Sequence, residues 1–399
     1  MACASVTEQQ NPAPLRLLTF TTLYPNACQP NHGVFVENRL RHLVESSEAT
    51  STVLAPIPWF PGRAPTRAVP LMEERHGLTV HHPRFLAVPS VGKVSNPLSL
   101  FHTARRALDR LIREGLCFDV IDAHYLYPDG VAAMWLGQHF GRKVAITARG
   151  SDTSEWPAYA LPGRLIRRAI RQADALIAVS ASLKQGLVAL GAPDDKVTVL
   201  RNGVDLHQFR PATDRAAARV ALGMPGPTLL SVGHLITRKR LHLTIEALAS
   251  LPEYHLVVVG DGPERATLED LATRLGVSDR VRFAGSQPHN RLPLYYAAAD
   301  VMVLASSREG WANVLLESMA CGTPVVATSA WGTREAVASP EAGIVVDEAT
   351  GAAIAAAVRT LTERRLAREA TRAYAEGFSW DATTSGQITL FRRLVGDPA

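Results

Sequence analysis

Two carboxylates that could bind a ligand, Glu309 and Glu317, stand eight positions apart in the segment REGWANVLLESMACGTPVVAT. The rest of this segment is mostly apolar and typical of buried structure. A pair of acids at this spacing, taken alone, most often belongs to a solvated loop and to the exposed face of a helix. The residues around the pair decide whether it binds a ligand instead.

The residues between the acids predict an anion site. The letters REGWAN are typical of a loop and VLLESMA of a helix, and Gly322 and Pro324 follow where a helix commonly ends. The helix should therefore begin near Ala312 or Asn313. The free N–H groups of its first turn and its positive dipole end attract an anion. Gly310 lets such a ligand approach the backbone closely.

The two acids flank this site, and their position indicates what they bind. A carboxylate in contact with a phosphate would repel it, whereas a carboxylate readily accepts hydrogen bonds from sugar hydroxyl groups. We therefore expect Glu309 in the loop to hold one sugar and Glu317 on the helix to hold the ribose of a nucleotide. The pattern favours binding of a phosphorylated sugar over acid–base chemistry by a carboxylate pair.

Short apolar strands that alternate with amphipathic helices must position these residues. In the first half of the chain we predict a strand over Leu15–Thr22, a helix from about Gly33, an irregular region over Pro56–Pro70 and a helix over Ser99–Gly115. The segments TSTVLAP, FDVIDAH, KVAITARG, ALIAVS and KVTVLRNGVD predict further strands. In the second half, strands are predicted in TLLSVGHL, HLVVVGDG, RVRFAGS, VMVLASS, TPVVATS and AGIVVD.

This alternation starts twice, which predicts two doubly wound α/β domains that face each other across a cleft. We divide the chain into a tail (1–14), a first domain (15–205), a second domain (206–377) and a final helix (378–399) that packs back on the first domain. The break falls in RNGVDLHQFRPAT, where Gly and Pro interrupt the pattern. Because ligands bind beyond the carboxyl ends of the strands in such sheets, the loops there should line the cleft.

Composition narrows the class of protein. The chain has 399 residues, of which 47% are hydrophobic and 20% charged, and its net charge is +5. Arginines spread over helices without a recognition motif do not favour nucleic acid as a partner, whereas an anionic substrate or membrane surface fits the charge. Cys3, Cys28, Cys117 and Cys321 are too far apart for a zinc site or a disulfide framework. No secretion signal and no membrane-spanning run is recognised, so we expect a cytoplasmic protein without a metal.

The stretch REGWANVLLESMACGTPVVATSAWGTREAV resembles the nucleotide-sugar segment of the family 4 retaining glycosyltransferases of the group 1 type, which have the GT-B architecture. The E-x7-E spacing, the passage from helix to strand and the following Gly-x-x-Glu carry this resemblance. It extends over nearly the whole chain through YPNACQPNHGVFVENRL, VIDAHYLYPDG, ITARGSD, AVSASLKQ, VLRNGVD, VGHLITRKRLHLTIEAL and GDGPERATLE. The resemblance implies that the first domain binds the acceptor and the second domain binds a nucleotide-sugar donor.

The resemblance implies roles for second-domain residues at matching positions. Lys239 would bind the donor diphosphate as a point charge, with Arg238 or Arg240 beside it, because His234 stands where the family usually has an arginine. Glu317 would hold the ribose and Glu309 the donor sugar. The backbone from the loop into the helix would bind the diphosphate, namely Gly310, Trp311, Ala312, Asn313 and Val314.

On the first domain, the resemblance places His124 near the transferred sugar, at the end of the strand FDVIDAH. A polar group there can orient a hydroxyl group or polarise the site without acting as a nucleophile. His124, Glu309 and Lys239 are therefore the predicted catalytic residues.

Other first-domain residues are expected around the donor phosphate and the acceptor. Gly33 would lie near the donor phosphate, and His32 stands where the family has a second glycine. Arg149, Asp152 and His32 are candidates for the acceptor side. Asp152 could bind the acceptor hydroxyl or could cap its own loop, and the sequence leaves both open.

The family implies transfer with retained configuration at the sugar carbon. A double displacement would need a carboxylate on the opposite ring face, and no residue in the sequence stands out for that role. A front-face route, in which the leaving diphosphate takes the acceptor proton, fits better and predicts a metal-independent reaction without a cofactor. A sugar-nucleotide 2-epimerase on the same fold and a non-catalytic sugar-nucleotide-binding protein remain as alternatives.

Two arginine-rich helical segments bear on the acceptor. TARRALDRLIR and GRLIRRAIRQ place arginines among apolar residues, which is typical of an ordinary solvated helix but also of a surface that lies on anionic lipid. We expect a glycan or lipid-linked acceptor in polysaccharide or glycolipid biosynthesis. Peripheral contact with the inner face of the cell membrane is an open alternative.

Overall fold

Apolar segments of the first half of the chain form an eight-stranded sheet in the computed structural model, which describes residues 13–60, 68–88 and 92–396. The strands of this half are β1 (Leu15–Phe20), β2 (Ala49–Leu54), β3 (Ile57–Trp59), β4 (Met72–Arg75), β5 (Leu78–His81), β6 (Arg84–Leu86), β7 (Val120–His124), β8 (Lys143–Ala148), β9 (Ala175–Ala178) and β10 (Val197–Val199). The sheet has the order β10-β9-β8-β7-β1-β2-β5-β4 and is parallel except for the β4–β5 hairpin. Strands β3 and β6 pair separately.

The second half forms a six-stranded sheet in which every neighbouring pair is parallel. Its strands are β11 (Thr228–Val232), β12 (His255–Val259), β13 (Val281–Gly285), β14 (Val301–Leu304), β15 (Val325–Thr328) and β16 (Gly343–Val346), in the order β13-β12-β11-β14-β15-β16. All six strands predicted for this half are present. They are apolar and β-branched because both faces of a parallel sheet are covered by helices.

Helices connect the strands. They are α1 (Val34–Glu45), α2 (Gly92–Arg113), α3 (Val131–Phe140), α4 (Ser151–Ser154), α5 (Ala160–Gln172), α6 (Ala181–Ala189), α7 (Arg215–Ala221), α8 (Leu241–Ala249), α9 (Arg265–Arg274), α10 (Leu292–Ala298), α11 (Asn313–Ala320), α12 (Thr333–Ala336), α13 (Gly351–Glu363), α14 (Arg368–Glu376) and α15 (Asp381–Val395). Within the described residues, none of these helices has the length and apolar character that crossing a membrane requires.

The chain passes between the sheets twice. It leaves the first sheet after β10, and it returns near residue 378, where the Val204 N–H donates to the Phe378 carbonyl oxygen at 2.9 Å. Helix α15 then packs on the first sheet, where Ile388 and Phe391 are buried among Leu17 and Leu40. The structure thus confirms an α/β fold with two parallel-rich sheets, while the domain limits drawn from the sequence stay a prediction.

Three sequence predictions were wrong in detail. Helix α2 begins at Gly92 rather than at Ser99, because Pro97 removes only one hydrogen bond near the helix start and its ring fits the helical φ angle. The region over Pro56–Pro70 is not irregular throughout, since it contains β3; residues 61–67 lie outside the described part of the chain. Strands β4, β5 and β6 were not predicted: all three are only three or four residues long, and β4 is also polar and lies at the sheet edge.

Candidate active site

The carboxyl ends of the two sheets meet at a cavity of 410 Å³. From the first domain and the linker it is lined by Leu23, Phe35, Tyr125, Arg149, Gly150, Ser151, Val179 and Asn202, and from the second domain by Arg238, Lys239 and residues 308–314. A second cavity of 820 Å³ shares Phe35, Arg238 and Lys239 with the first and extends along His32, Gly33, His234 and His289. The predicted second-domain residues, apart from Glu317 and Arg240, therefore do line the cavities.

The helix start that was predicted between the two acids lies in the wall of the first cavity. Helix α11 begins at Asn313, as expected, and no side chain caps its N–H groups. Gly310 lies against the first domain so closely that a Cβ atom there would be 2.0 Å from the Arg149 carbonyl oxygen. On the other side of this contact, Gly150 has a φ angle of 135°, which glycine adopts readily. The free N–H groups are available to a ligand in the cavity.

Lys239 and Glu309 form an ion pair in the same wall, in which the lysine Nζ donates to the Glu309 Oε1 at 2.6 Å. Burial alone would raise the pKa of the Glu309 carboxyl, but the charge and hydrogen bond of Lys239 hold that pKa below its usual value. Arg238 lies beside the pair, 3.9 Å from the Glu309 Oε2. Two cations against one carboxylate leave this wall with a net positive charge, which suits a diphosphate.

Glu317 lies on α11 with its carboxylate held by two side chains that the sequence analysis missed. The Tyr296 hydroxyl donates to the Glu317 Oε2 at 2.9 Å, and His289 lies with its Nε2 3.3 Å from the Oε1. Burial opposes protonation of His289, but Glu317 raises the pKa of this imidazole above its usual value. His289 lines the second cavity, so the Glu317 carboxylate contacts a residue of that cavity's wall, and binding of a ribose by Glu317 stays a prediction.

His124 does not line the first cavity, contrary to the role expected from the resemblance. Its side chain is only 1% exposed, with the Nε2 3.3 Å from the Asp122 Oδ2, and the Arg149 NH2 donates to its Nδ1 at 2.7 Å. Because arginine can only donate, Nδ1 accepts and Nε2 carries the proton. Burial lowers the pKa of His124, which keeps the imidazole neutral. In this structure, Arg149 stands where His124 was expected, and direct contact of His124 with a sugar stays a prediction.

Asp152 caps its own loop and does not line the first cavity. Its carboxylate is fully buried and accepts hydrogen bonds from the backbone N–H groups of Leu126, Arg149 and Gly150, at 2.9, 3.0 and 2.6 Å. Of the two roles left open by the sequence, the structure supports the structural one. The consequence is that Asp152 shapes the backbone that meets Gly310.

Arg149, the other residue of that loop, does line the first cavity. Its guanidinium lies 5.1 Å from the centre of the Phe35 ring, and its NH1 donates to the Asn202 Oδ1 at 3.1 Å. Burial lowers the pKa of Arg149 to about 9, which leaves it charged near neutral pH.

The loop before α1 contributes Gly33 and His32 to the second cavity. Gly33 has a φ angle of 73°, and a Cβ atom there would lie 2.3 Å from the Leu23 carbonyl oxygen, so only glycine fits. The exposed His32 donates from its Nε2 to the Thr22 carbonyl oxygen at 3.1 Å. His32 therefore holds the end of β1 and the start of α1 together while its ring edges the cavity.

His234 also edges the second cavity. Its Nδ1 lies 2.5 Å from the Asp261 carbonyl oxygen and donates to it, which leaves Nε2 for a ligand. Of the two arginines expected to compensate for it, Arg240 is occupied by the carbonyl oxygens of Ala305 and Ser306, at 2.9 and 3.0 Å. Arg238 lines both cavities and is the compensating cation that the structure supports.

Several cavity residues were not predicted. Tyr125 and Ser151, whose hydroxyl groups are hydrogen-bonded to each other, and Arg308, which pairs with Glu155, line the first cavity. Glu335, the last residue of the Gly-x-x-Glu motif, instead joins the domains by accepting from the N–H groups of Ala181 and Ser182 at the start of α6. The only feature of the sequence that could have indicated Tyr125, Ser151 and Arg308 was that each follows a predicted strand.

Two α/β sheets whose carboxyl ends meet at one cavity are typical of a GT-B type of protein, and comparisons with known proteins agree. Residues 34–208 match the family model described as Glycosyltransferase Family 4, and residues 214–378 match the model described as Glycosyl transferases group 1. The chain is 32% identical over 391 residues to a D-inositol 3-phosphate glycosyltransferase of Kineococcus radiotolerans. This alignment covers 85% of this chain and 86% of the relative.

Solved structures have the same fold. Sucrose-phosphate synthase from Thermosynechococcus elongatus superposes with a TM-score of 0.81 at 22% identity, over 96% of this chain and 99% of the other. HepE of Anabaena, in complex with UDP and glucose, superposes with a TM-score of 0.75 at 21% identity, over 95% and 100%. The chain therefore belongs to the group 1, family 4 glycosyltransferases and is an enzyme of that class.

Proposed function

We propose that the protein moves a sugar from a nucleoside-diphosphate sugar to a glycan or lipid-linked acceptor, with retention of configuration, in polysaccharide or glycolipid biosynthesis. The observation that carries this proposal is the anion site: the uncapped start of α11 faces the same cavity as Lys239 and Arg238. A diphosphate bound there would place the donor sugar beside Glu309.

The second cavity would hold the nucleoside. Glu317 lies beside it on α11, with Tyr296 and His289 orienting the carboxylate toward ribose hydroxyl groups. The solved structure of HepE contains UDP and glucose, which supports a nucleotide-sugar donor on this fold. Gly233 and Gly260 both line this cavity, and their backbones approach so closely that a Cβ at Gly260 would lie 1.9 Å from the Gly233 carbonyl oxygen.

The mechanism we propose is a front-face transfer. The bond between the sugar carbon and the diphosphate oxygen breaks, the acceptor oxygen bonds to the same face of that carbon, and the acceptor proton passes to the leaving diphosphate. Lys239, Arg238 and the start of α11 would stabilise the negative charge that develops on the leaving group. Glu309 is already paired with Lys239, which favours hydroxyl binding over nucleophilic attack. These groups supply the positive charge, so we propose that no metal ion is required.

We also propose a peripheral membrane surface on the first domain, in the cytoplasm. Helix α5 carries four exposed arginines and no acidic residue, and Tyr159 and Leu161 at its cleft-side start are 47% and 42% exposed. Helix α2, which contacts α5, exposes Val94 and Leu98 at its own cleft-side start. Such a basic and apolar surface complements anionic lipid, and it would bring a lipid-linked acceptor to the cleft.

Donor screening tests the proposed function. UDP-, GDP- and ADP-sugars are first compared by thermal shift, and the donor that stabilises the protein is then incubated with lipid-linked and free glycan acceptors. We expect a product whose anomeric coupling in proton NMR matches the donor, unchanged by EDTA and lost in Lys239→Ala.

Other results would contradict the proposal in distinct ways. A changed sugar from the donor alone would indicate an epimerase, and tight binding without turnover would indicate a binding protein. An inverted product, or strict dependence on a divalent ion, would overturn the mechanism but not the class of enzyme.

A further inference from the structure

Asn202, in the linker between the two sheets, contacts both walls of the first cavity. Its side chain is almost completely buried. The Oδ1 accepts from the NH1 groups of Arg39 and Arg149, at 3.2 and 3.1 Å, and the Nδ2 donates to the Asn313 Oδ1 at 3.2 Å. The Asn202 carbonyl oxygen also accepts from the Trp311 Nε1 at 3.0 Å.

The two arginines determine how the Asn202 amide is oriented. A guanidinium has only donors, so the Asn202 atom that faces Arg39 and Arg149 must be the oxygen. Burial lowers the pKa of Arg39 to about 10 and that of Arg149 to about 9, so both remain charged near neutral pH. The Asn202 amide nitrogen is consequently turned toward Asn313.

The orientation of Asn202 in turn determines that of Asn313, the first residue of α11. Because the Asn202 Nδ2 donates, the Asn313 atom facing it must be the oxygen. The Asn313 amide nitrogen then has no hydrogen-bond partner among residues 13–60, 68–88 and 92–396, and Asn313 lines the cavity. This nitrogen is therefore free to donate to a ligand at the anion site.

We propose that Asn202 is a positioning residue that holds the Asn313 side chain with its NH2 group, rather than its carbonyl group, toward the donor diphosphate. The inference rests on the proposed function, because it needs a diphosphate at the start of α11. Asn313 then adds a side-chain donor to the backbone N–H groups of the helix start. Neither role follows from the local sequence, since Asn202 stands in a linker and Asn313 in a helix.

Asn313→Asp separates this role from a structural one. The carboxylate still accepts from the Asn202 Nδ2, and an acid at a helix start is favourable, so the melting temperature should be kept or raised. The group facing the diphosphate becomes an anion, so we expect affinity for the nucleoside diphosphate to fall about ten- to a hundredfold. The probe is whichever of UDP, GDP and ADP the wild-type protein binds in calorimetry, with the matching nucleoside as the control ligand.

Asn202→Asp tests whether Asn202 sets the orientation of the Asn313 amide, an effect that we call the relay. The variant replaces the Asn202 Nδ2 donor by a second carboxylate oxygen, which can only accept a hydrogen bond. The Asn313 amide would then turn its NH2 group toward position 202 and its carbonyl oxygen toward the diphosphate, so affinity for the nucleoside diphosphate should fall again. The added negative charge at position 202 could also weaken binding directly, without any change at Asn313. Asn313→Ala distinguishes these two explanations. In the Asn313→Ala background there is no amide to turn, so adding Asn202→Asp should change affinity less than twofold. A loss equal to that in the wild-type background would overturn the relay.

The results also separate this inference from the proposed function. Full affinity for the nucleoside diphosphate in Asn313→Asp, with the nucleoside control unchanged, would overturn the inference and leave the enzyme class intact. If the wild-type protein bound none of UDP, GDP and ADP, the proposed donor site would fail and the inference with it. Weaker binding of the nucleoside as well would point to a general disturbance of the site and would also count against the relay.

Discussion

The carboxylate of Glu317 is held in place by two neighbouring side chains and is positioned to accept hydrogen bonds. Tyr296 donates to one oxygen and His289 contacts the other, on the side where the second cavity opens. Burial and the nearby carboxylate raise the pKa of the Tyr296 hydroxyl well above its usual value, so it stays a donor. The contacts with these two side chains offset the cost of burying the Glu317 carboxylate.

Glu317→Gln should weaken binding of the nucleoside diphosphate about tenfold or more, because a hydrogen bond to a charged group is lost. The loss should depend on the ribose hydroxyl groups. A matched ligand, the 2′,3′-dideoxy form of the same diphosphate, should bind wild type and Glu317→Gln alike in calorimetry. Equal losses for the two ligands would rule out ribose recognition by Glu317.

Asp129 is a second buried acid, and it makes the stability of the folded protein depend on pH. Its carboxylate accepts from the Thr22 N–H at 2.7 Å and from the Thr21 hydroxyl at 3.3 Å, at the end of β1. Burial raises the pKa of Asp129 to about 7. Between about pH 3.9, the pKa of a carboxyl in an unfolded chain, and about pH 7, the Asp129 carboxyl is therefore protonated in the folded protein and ionised in the unfolded chain.

The sign follows from this difference: the stability that Asp129 contributes is present at low pH and is lost as the pH rises through about 7. Asp129→Asn does not titrate, so the melting temperature of wild type minus that of D129N should fall between about pH 4 and pH 7 and level off at higher pH. Asp270→Asn, at an exposed position on α9, is the control and should leave the profile unchanged. A difference that is flat with pH would contradict the assignment.

At the scale of elements, the contact between two loops places the helix start. The loop before α11 meets the loop after β8 through Gly310, where there is no room for a side chain, and Gly332 lies behind it, its own Cβ position 2.5 Å from the Gly310 carbonyl oxygen. The N–H groups of α11 are thus aligned with the first domain by backbone contact. A shift of this loop would move the anion site relative to Arg149.

Gly310→Ala should lower kcat/KM about a hundredfold, because a misplacement of about 1 Å is enough for such a loss. Steady-state kinetics and the melting temperature are measured together, with Gly377→Ala as the matched control, since the nearest atom to a Cβ there is 3.5 Å away. The melting temperature should fall in G310A, because the added Cβ meets buried backbone, and should change little in G377A, so the kinetics are measured well below both melting temperatures. Normal kinetics in G310A would show that the loop contact does not position the site.

At the scale of the whole molecule, the distribution of charge bears on where the enzyme works. The exposed arginines Arg164, Arg167, Arg168 and Arg171 lie on one helix, and in the described part of the chain none of them forms a salt bridge with an acid. The apolar residues Tyr159 and Leu161 lie at the end of this helix nearest the cleft. Arginines without acidic partners are available to a negative surface.

Vesicle sedimentation tests this surface. The double variant Arg167→Glu/Arg168→Glu should bind vesicles of phosphatidylcholine and phosphatidylglycerol severalfold more weakly than wild type, with the difference shrinking as salt rises. The double variant Arg364→Glu/Arg365→Glu, at exposed positions just after α13 in the second domain, changes the net charge by the same amount and is the control. Wild-type binding in the double variant, or equal binding to pure phosphatidylcholine, would exclude an electrostatic membrane surface on α5.

Local patterns were enough to predict much of this architecture. The six strands of the second sheet are short apolar runs bounded by Gly, Pro or polar residues, and such runs are recognisable without knowledge of the fold. The start of α11 was predicted within one residue because loop, helix and end signals follow one another in the chain. Both strands of the β4–β5 hairpin were missed, since these short segments are stabilised by pairing with each other and not by their own composition.

The direction in which a polar side chain points depends on residues that are distant in the chain, and only the folded structure decides it. Asn202 bonds Arg39 and Asn313, which are 163 and 111 positions away, so no pattern near Asn202 reveals its part in the site. His124 and Asp152 were rightly placed at strand ends, yet their partners turn them into the protein rather than into the cavity. Residue types and spacing thus establish the family and the helix start, whereas tertiary packing determines which side chains face the ligand.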